Sequence, residues 1–418
     1  MNNPLQKRVD IDVSLARPRT DKSELPRLCM VGVVPYDAPI ISEMSPGSSV
    51  RRSHYVYGQP YVEQVRLSSV AQSRLLPGID MQHPSKLRDA LVAMLGSGVA
   101  EVDCILARVP GVYPWELTNQ TVVELLDSFF NEIPGAMIVF PDAGGPWPRS
   151  WQQHHDNYEQ QQNLLAAVKQ YGPLFAEHFQ LGFFDMINLP NQEAQQVFNS
   201  LLGHDVSLCC WSGNADTLEQ HGWRSCAAIV AGYIAKRLDV VTQSLVGHNV
   251  TLTTGRRIVK NRAHLLGGLE PLELDSQYED NCVVLSIDKF GKSAQILSEY
   301  TMRRPRYEWS IPVMRTVKAI HQSLRQAADI FVFRPVKKVE AVALEKTVEM
   351  VLDPFYDMGI LVGPDGTGKP TVSGQALPDY DQPMLSVDLS AMVRPWCQNI
   401  SLKVMVKSGM DPVIEGGN

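Results

Sequence analysis

The chain has 418 residues, 44% of them aliphatic, aromatic or sulfur-bearing, and a formal charge of −7, enough material for a large core and for two or three domains. It contains no run of about 18 apolar residues, which excludes a helical membrane span, and its acidic balance argues against a dedicated nucleic-acid binder. The seven cysteines are odd in number and scattered, with no CxxC spacing, so they read as buried reduced thiols rather than as zinc ligands.

The opening residues, MNNPLQKRVDIDV, have no apolar stretch and read as a mature start without a signal peptide, made and kept in a cytosol. Within them VDIDVSL alternates: Val9, Ile11, Val13 and Leu15 fall on one face, Asp10, Asp12 and Ser14 on the other. That is the pattern of a half-buried strand, and the break ARPRTDKSELP separates it from the body. A lone terminal strand must complete a sheet edge, its own or a neighbour's.

From Cys29 to about Gly267, apolar strands alternate with helical stretches. LCMVGVV, EVDCILARV, AMIVF, FFDMINL and VSLCCW read as buried strands; KLRDALVAML, VVELLDSFF, YEQQQNLLAAVKQY and EAQQVFNSLL read as helices. This alternation predicts crossover connections and a mostly parallel, layered α/β sheet. Residues 36–78, rich in Ser, Pro and Tyr, are expected to form a loop or hairpin excursion.

WRSCAAIVAGYIAKRLD is apolar or small on nearly all sides, which predicts a deeply packed helix. SIPVMRTVKAIHQSLRQAADIFVF predicts an amphipathic helix capped by Ser310, with Pro312 in its first turn and Val313, Val317, Ile320, Leu324 and Ala328 buried, followed by an IFVF strand. VEAVALEKTVEMVLDPFYDM predicts a further helix, and GILVG a strand.

GPDGTGKPTVSG is one residue from a phosphate-binding P-loop: Gly363, Gly368 and Lys369 are in register, but Pro370 stands where the magnesium-binding hydroxyl belongs. A P-loop also needs a helix starting at the Gly-Lys. Here Pro370, Thr371, Val372 and Ser373 are strand formers, so the stretch predicts a glycine-rich turn joining two strands. At the far end ISLKVMVK alternates again, with Ile400, Leu402, Val404 and Val406 on one face.

No catalytic pattern stands out. There is no nucleophile elbow, no HExxH and no GxGxxG after a strand; His154 and His155 are adjacent and point apart. We therefore expect no catalytic, cofactor-binding or metal-binding residues. What does stand out is charge: residues 303–338 hold nine basic side chains against two acidic ones, a local +7 that leaves −14 for the rest. On the amphipathic helix Arg315, Lys318, Gln322 and Arg325 follow helical spacing, which predicts a basic strip opposite the buried stripe and fit to dock on an acidic partner.

Several of these stretches resemble contractile tail sheath proteins. WRSCAAIVAGYIAKRLD is similar to that family's small-residue helix ending in Arg-x-Asp, EWSIPVMRTVKAIHQSLRQAADIFVFRPV to its carboxy-terminal signature, and ALVAMLGSGVAEVDCILARV to its early helix, glycine turn and strand. The match spans roughly residues 85 to 110 and 222 to 406, with SLVGHNVTLTTGRRIVKNRA departing from the family's pattern. The resemblance implies an α/β fold, α+β in its C-terminal part, with layered mixed sheets flanked by helices and terminal strands exchanged between subunits. It implies a linking arm over 1–28, an outer α/β domain over 29–265, an inner domain over 266–399 and a linking strand over 400–418.

The function implied is that of a structural subunit that stacks as hexameric rings around an inner tube and contracts. Its partners would be copies of itself, the tube protein, and baseplate and terminator proteins, with no nucleic acid and no membrane. It would assemble in a host cytoplasm and end in a virion tail or injection particle. Arg315, Lys318, Gln322 and Arg325 would face the tube, and Val9, Ile11, Val13, Leu15, Ile400, Leu402, Val404 and Val406 would form the inter-subunit strands. The competing expectation is a cytosolic α/β hydrolase or transferase with its site at the carboxyl ends of the parallel strands; Pro370 weighs against a third, an ATPase.

Overall fold

The computed structural model describes residues 27–38, 50–52, 58–78, 84–130, 133, 135–144, 157–178, 180–186, 196, 199–211, 225–236, 249–251, 282–287, 293–296, 298–303, 310–332, 334–377, 384–393, 400–407 and 413–416. The chain divides into two compact units, one of residues 26–322 and one containing residues 323–418. Val9, Ile11, Val13 and Leu15 lie outside the described residues.

The larger unit opens with β1 (Leu28–Val33), β2 (Val50–Arg52) and β3 (Tyr61–Leu67), then α1 (Leu87–Gly96), β4 (Val102–Arg108), α2 (Gln120–Phe130) and β5 (Met137–Phe140). It continues with α3 (Asn157–Glu177), β6 (Leu181–Asp185), β7 (Val206–Trp211), α4 (Cys226–Lys236), β8 (Asn249–Thr251), β9 (Val283–Ile287) and β10 (Ser293–Ile296). These strands make one ten-stranded sheet in the order β2-β3-β4-β1-β5-β6-β7-β9-β10-β8. The central run from β4 to β9 is parallel, and antiparallel pairs close both sides.

Strands buried on both faces have no polar alternation, which is why β1 reads as a continuous apolar run; β4 is buried throughout as well, though it carries Asp103 and Arg108 near its ends. On one face α1 and α4 pack through Leu87, Leu91, Met94, Ala227, Val230 and Ile234. On the other, α2 and α3 pack through Leu126, Phe130, Val168, Tyr171 and Phe175. The rings of Phe130, Phe140, Tyr171, Phe175 and Phe184 form an aromatic nucleus there, Phe140 and Phe184 stacking at 5.2 Å. The result is a three-layer α/β/α unit.

In the excursion over residues 36–78 the hairpin alternative holds among the described residues, β2 pairing antiparallel with β3. Its β3 pairs with β4 along its full length, and Ser69 and Gln72 form a capping box on a short 3-10 helix at Val70–Leu75. β9 and β10 lie beyond residue 265, yet they belong to this sheet; the units divide at residues 322 and 323, against a boundary expected near 265.

Next come α5 (Ile311–Asp329), α6 (Lys338–Asp357), β11 (Leu361–Val362), β12 (Thr371–Leu377), β13 (Met384–Val393), β14 (Ile400–Lys407) and β15 (Val413–Gly416). On α5 the anticipated apolar stripe is in place at Val313, Ile320, Leu324 and Ala328, which are buried, while Val317 is half-buried. Ser310 does not cap it: its hydroxyl is buried without a hydrogen-bond partner, and the helix start is held instead by the Ile311 N–H donating to the Glu299 carbonyl. The expected IFVF strand is a turn. Phe331, Val332 and Arg334 donate to the carbonyls of Ala328, Asp329 and Phe331, so the backbone keeps a helical sense and offers no ladder edge.

In the smaller unit β11 and β12 do not pair with each other as the hairpin reading expected. Both lie against the same edge of β13, β11 opposite Met392–Val393 and β12 opposite Met384–Ser390. The turn between them has Gly366 and Gly368 at positive φ, and its length is set by β13 rather than by a two-strand hairpin. α6 covers this sheet with Ala341, Leu344, Val348, Val351, Leu352 and Phe355. A Cβ on Gly374 would stand 2.5 Å from the Ala341 carbonyl oxygen, so only glycine lets helix and strand come this close. Gly374→Val is expected to cost about 1–3 kcal/mol through forced separation of α6 from β12, read as a lower urea midpoint of unfolding.

Candidate assembly surfaces

In doubly wound sheets ligands enter at the carboxyl ends of the strands where the order reverses, here between β1 and its neighbours β4 and β5. Among the described residues, buried charged groups gather near these strand ends. Arg108, at the end of β4, pairs with Glu63 of β3 at 3.0 Å with both side chains fully buried, and its guanidinium also donates to the carbonyls of Ala38 (2.8 Å) and Pro35 (3.3 Å). Lys86, just before α1, is fully buried and donates to the Gly144 carbonyl.

Two carboxylates at the strand ends cap helices. Asp142 accepts from the Ser85 hydroxyl and the Lys86 N–H, both at 2.7 Å, at the start of α1. Asp185 accepts from the Ser225 hydroxyl at 2.6 Å and the Ala227 N–H at 2.8 Å at the start of α4. Burial pushes both carboxyls up to about 6 against these hydrogen bonds and the Lys86 charge, and pushes the Lys86 ammonium down to about 8. Carboxyls raised in the folded state stabilise it only while protonated, so stability from Asp142 is lost as pH rises from about 4 to about 6. Asp142→Asn should flatten that part of the pH–stability curve; an unchanged curve contradicts the assignment.

The glycine-rich loop has no helix after Lys369: Thr371–Leu377 is strand. The Lys369 ammonium bonds Asp353 of α6 at 2.7 Å and lies over the Tyr356 ring at 5.5 Å. The Gly363 N–H donates to the Gly368 carbonyl, closing the turn on itself. The loop joins two stretches of one sheet edge, as the position of Pro370 implied.

The basic strip differs from its expected form. Arg315 is 8% exposed, and Lys318 with Arg303 bonds the buried carboxylate of Asp205 at the start of β7. Burial opposes ionisation of Asp205, but the Lys318 and Arg303 charges outweigh it and hold its carboxyl below the ordinary value. Gln322 and Arg325 are half-buried. The acid that folds over Arg303 and Lys318 sits about a hundred residues earlier and gave no local signal. Among the described residues of the segment, the exposed cations are Arg334, which pairs with Glu340 at 3.1 Å, Lys337 and Lys338, around the start of α6. Asp205→Ala leaves two cations around a buried site and should lower the unfolding free energy by about 3–5 kcal/mol, measured by urea titration.

Ile400, Leu402, Val404 and Val406 occupy β14, and in this chain β14 is an inner strand. Its register sets those residues opposite Ala391, Leu389, Val387 and Leu385 of β13, all buried, while β15 pairs on its other side. Among the described residues no strand pairs beyond β15. The opposite margin, β12, is engaged by α6: the Gly374 N–H donates to the Glu345 carboxylate at 2.8 Å. Away from the sheet, α6 shows Val339, Val342 and Met350 at 76%, 41% and 61% exposure on one helical face.

No family model and no curated protein sequence matches this chain. Solved structures do match its fold. The contracted helical sheath of the anti-feeding prophage aligns with a TM-score of 0.51 and 16% identity, covering 88% of each chain. A chain of the six-fold-symmetrised anti-feeding prophage baseplate gives 0.52 and 12%, over 85% of this chain and 87% of that one. The contracted PVC sheath complex of an extracellular contractile injection system gives 0.50 and 13%, over 88% and 90%. The fold is thus that of contractile sheath subunits, and it extends through both units.

Proposed function

We propose that this chain is a structural subunit of a contractile sheath, one that polymerises around an inner tube and shortens to drive the tube through a target envelope. The observation that carries this reading is the fold likeness to contractile sheath chains over most of both lengths. Catalysis, a cofactor and a bound nucleotide have no part in the proposal.

The linking strands follow from the C-terminal sheet. The ladder that β14 makes with β13 inside one chain is the ladder it makes between chains when the strand is exchanged, with the same register and the same number of main-chain hydrogen bonds. Exchange therefore changes connectivity at little cost in bonding. The N-terminal alternation at Val9, Ile11, Val13 and Leu15 supplies a further strand, and the outer edge of β15 is a place for it. Such links hold subunits together while their globular bodies rotate.

The ring would be hexameric and the stack helical, with the inner tube, baseplate and terminator proteins as partners, assembled in a host cytoplasm and carried in a tail or injection particle. Tube contact falls on Arg325 with Lys337 and Lys338, because Lys318 is engaged by Asp205 and Arg334 by Glu340. Arg315 and Gln322 keep a supporting place on the same helix.

Negative-stain microscopy of purified protein tests the reading: tubes or stacked rings are expected, and uniform discrete particles under assembly conditions contradict it. Deleting residues 1–20 should abolish polymers while the chain stays monomeric and soluble. Reversing charge at Arg325, Lys337 and Lys338 should stop assembly on tubes without lowering the unfolding midpoint; normally sheathed tubes would reject the tube-facing assignment.

A further inference from the structure

We infer that Cys210 and Cys282 form a redox staple, a thiol pair that a hydroperoxide converts into a disulfide joining β7 to β9. All six described cysteines are buried and reduced, but they are not equivalent. Alternation along β7 sends Cys209 to the core layer shared with Cys226, and Cys210 to the opposite layer, where Cys282 also lies. β7 and β9 are parallel neighbours, Cys209 opposite Val283 and Cys210 opposite Val284, so Cys282 is the diagonal neighbour of Cys210 on the same face. Their sulfurs are 3.6 Å apart. A disulfide needs about 2.05 Å, so closure asks for a movement of roughly 1.5 Å within one sheet face.

The chemistry balances with one hydroperoxide. The Cys210 thiol attacks the O–O bond, forming a sulfenic acid and releasing one water or alcohol. The Cys282 sulfur then attacks the Cys210 sulfur, the S–O bond breaks, and water leaves with the second thiol proton. Two electrons pass from the thiols to the peroxide. The second step is intramolecular and contact-range, so it outruns further oxidation to sulfinic acid.

Burial governs the rate. Cys210 is 2% exposed and Cys282 0%, and burial pushes the Cys282 thiol well up, which keeps it protonated and slow in the closed sheet. Oxidation is therefore gated by opening of the β9–β10–β8 side, and a reducing compartment leaves the pair as thiols. The sulfurs are 72 positions apart in sequence, so the bond closes a long loop and removes much freedom from the unfolded chain. For a particle that leaves a reducing cytosol, a consequence that rests on the sheath reading, the staple would stiffen subunits after release.

The test uses soluble wild-type monomer and does not depend on assembly. After treatment with hydrogen peroxide and alkylation, non-reducing peptide mapping should give a Cys210–Cys282 linked pair two hydrogens lighter than the dithiols, as the dominant linkage. Sub-denaturing urea should accelerate it, and the oxidised protein should melt about 5 °C or more higher until reduced. In Cys282→Ser, which keeps the Cys210 thiol without its resolving partner, dimedone should label Cys210. Linkage that appears only after global unfolding overturns the inference, as does linkage of Cys210 mainly to Cys209 or Cys226.

Discussion

A β-strand leaves a row of main-chain donors and acceptors on each edge, and every arrangement of the C-terminal unit follows from how those rows are satisfied. β13 is the spine. One of its edges carries β11 and β12 end to end, the other carries β14, and β14 in turn carries β15. α6 seals the β12 side by placing its backbone against Gly374 and its Glu345 carboxylate on the Gly374 N–H. Among the described residues no strand pairs beyond β15, and this is the margin where the proposed exchange would act.

The larger unit has the opposite character. Its sheet is covered on both faces, Arg108 and Lys86 are buried near the strand ends, and its two strand-end aspartates are spent on helix starts. Asp205 adds a tie between the first half of α5 and the start of β7. In the proposed sheath, such a unit would turn as one body. Division of labour between a closed body and a sheet with an open margin is the physical basis of the mechanical reading.

Much of this was legible in the sequence, for local reasons. Apolar runs such as LCMVGVV have to be strands buried on both faces, and the Val313, Ile320, Leu324 stripe has to face a core, because period and burial act within a few residues. The Pro370 argument likewise needed only the chemistry of one turn. What the sequence withheld was long-range. IFVF has strand composition, yet no edge is offered to it, so it completes a turn after α5. GILVG and PTVSG look like the arms of a hairpin, but β13 is the better partner for both. Lys318 looked like a solvated cation because Asp205 comes far earlier in the chain.

The claim that all else leans on is that the β13–β14 ladder formed within one chain is formed between chains in the polymer. Its most direct measurement places cysteines at the registered pair Val387 and Val404, in a background lacking the native thiols, and oxidises the protein before and after assembly. The account predicts cross-linked monomer before assembly and covalent multimers on a non-reducing gel after it. Single-chain cross-links alone, from polymers that are demonstrably formed, would contradict it.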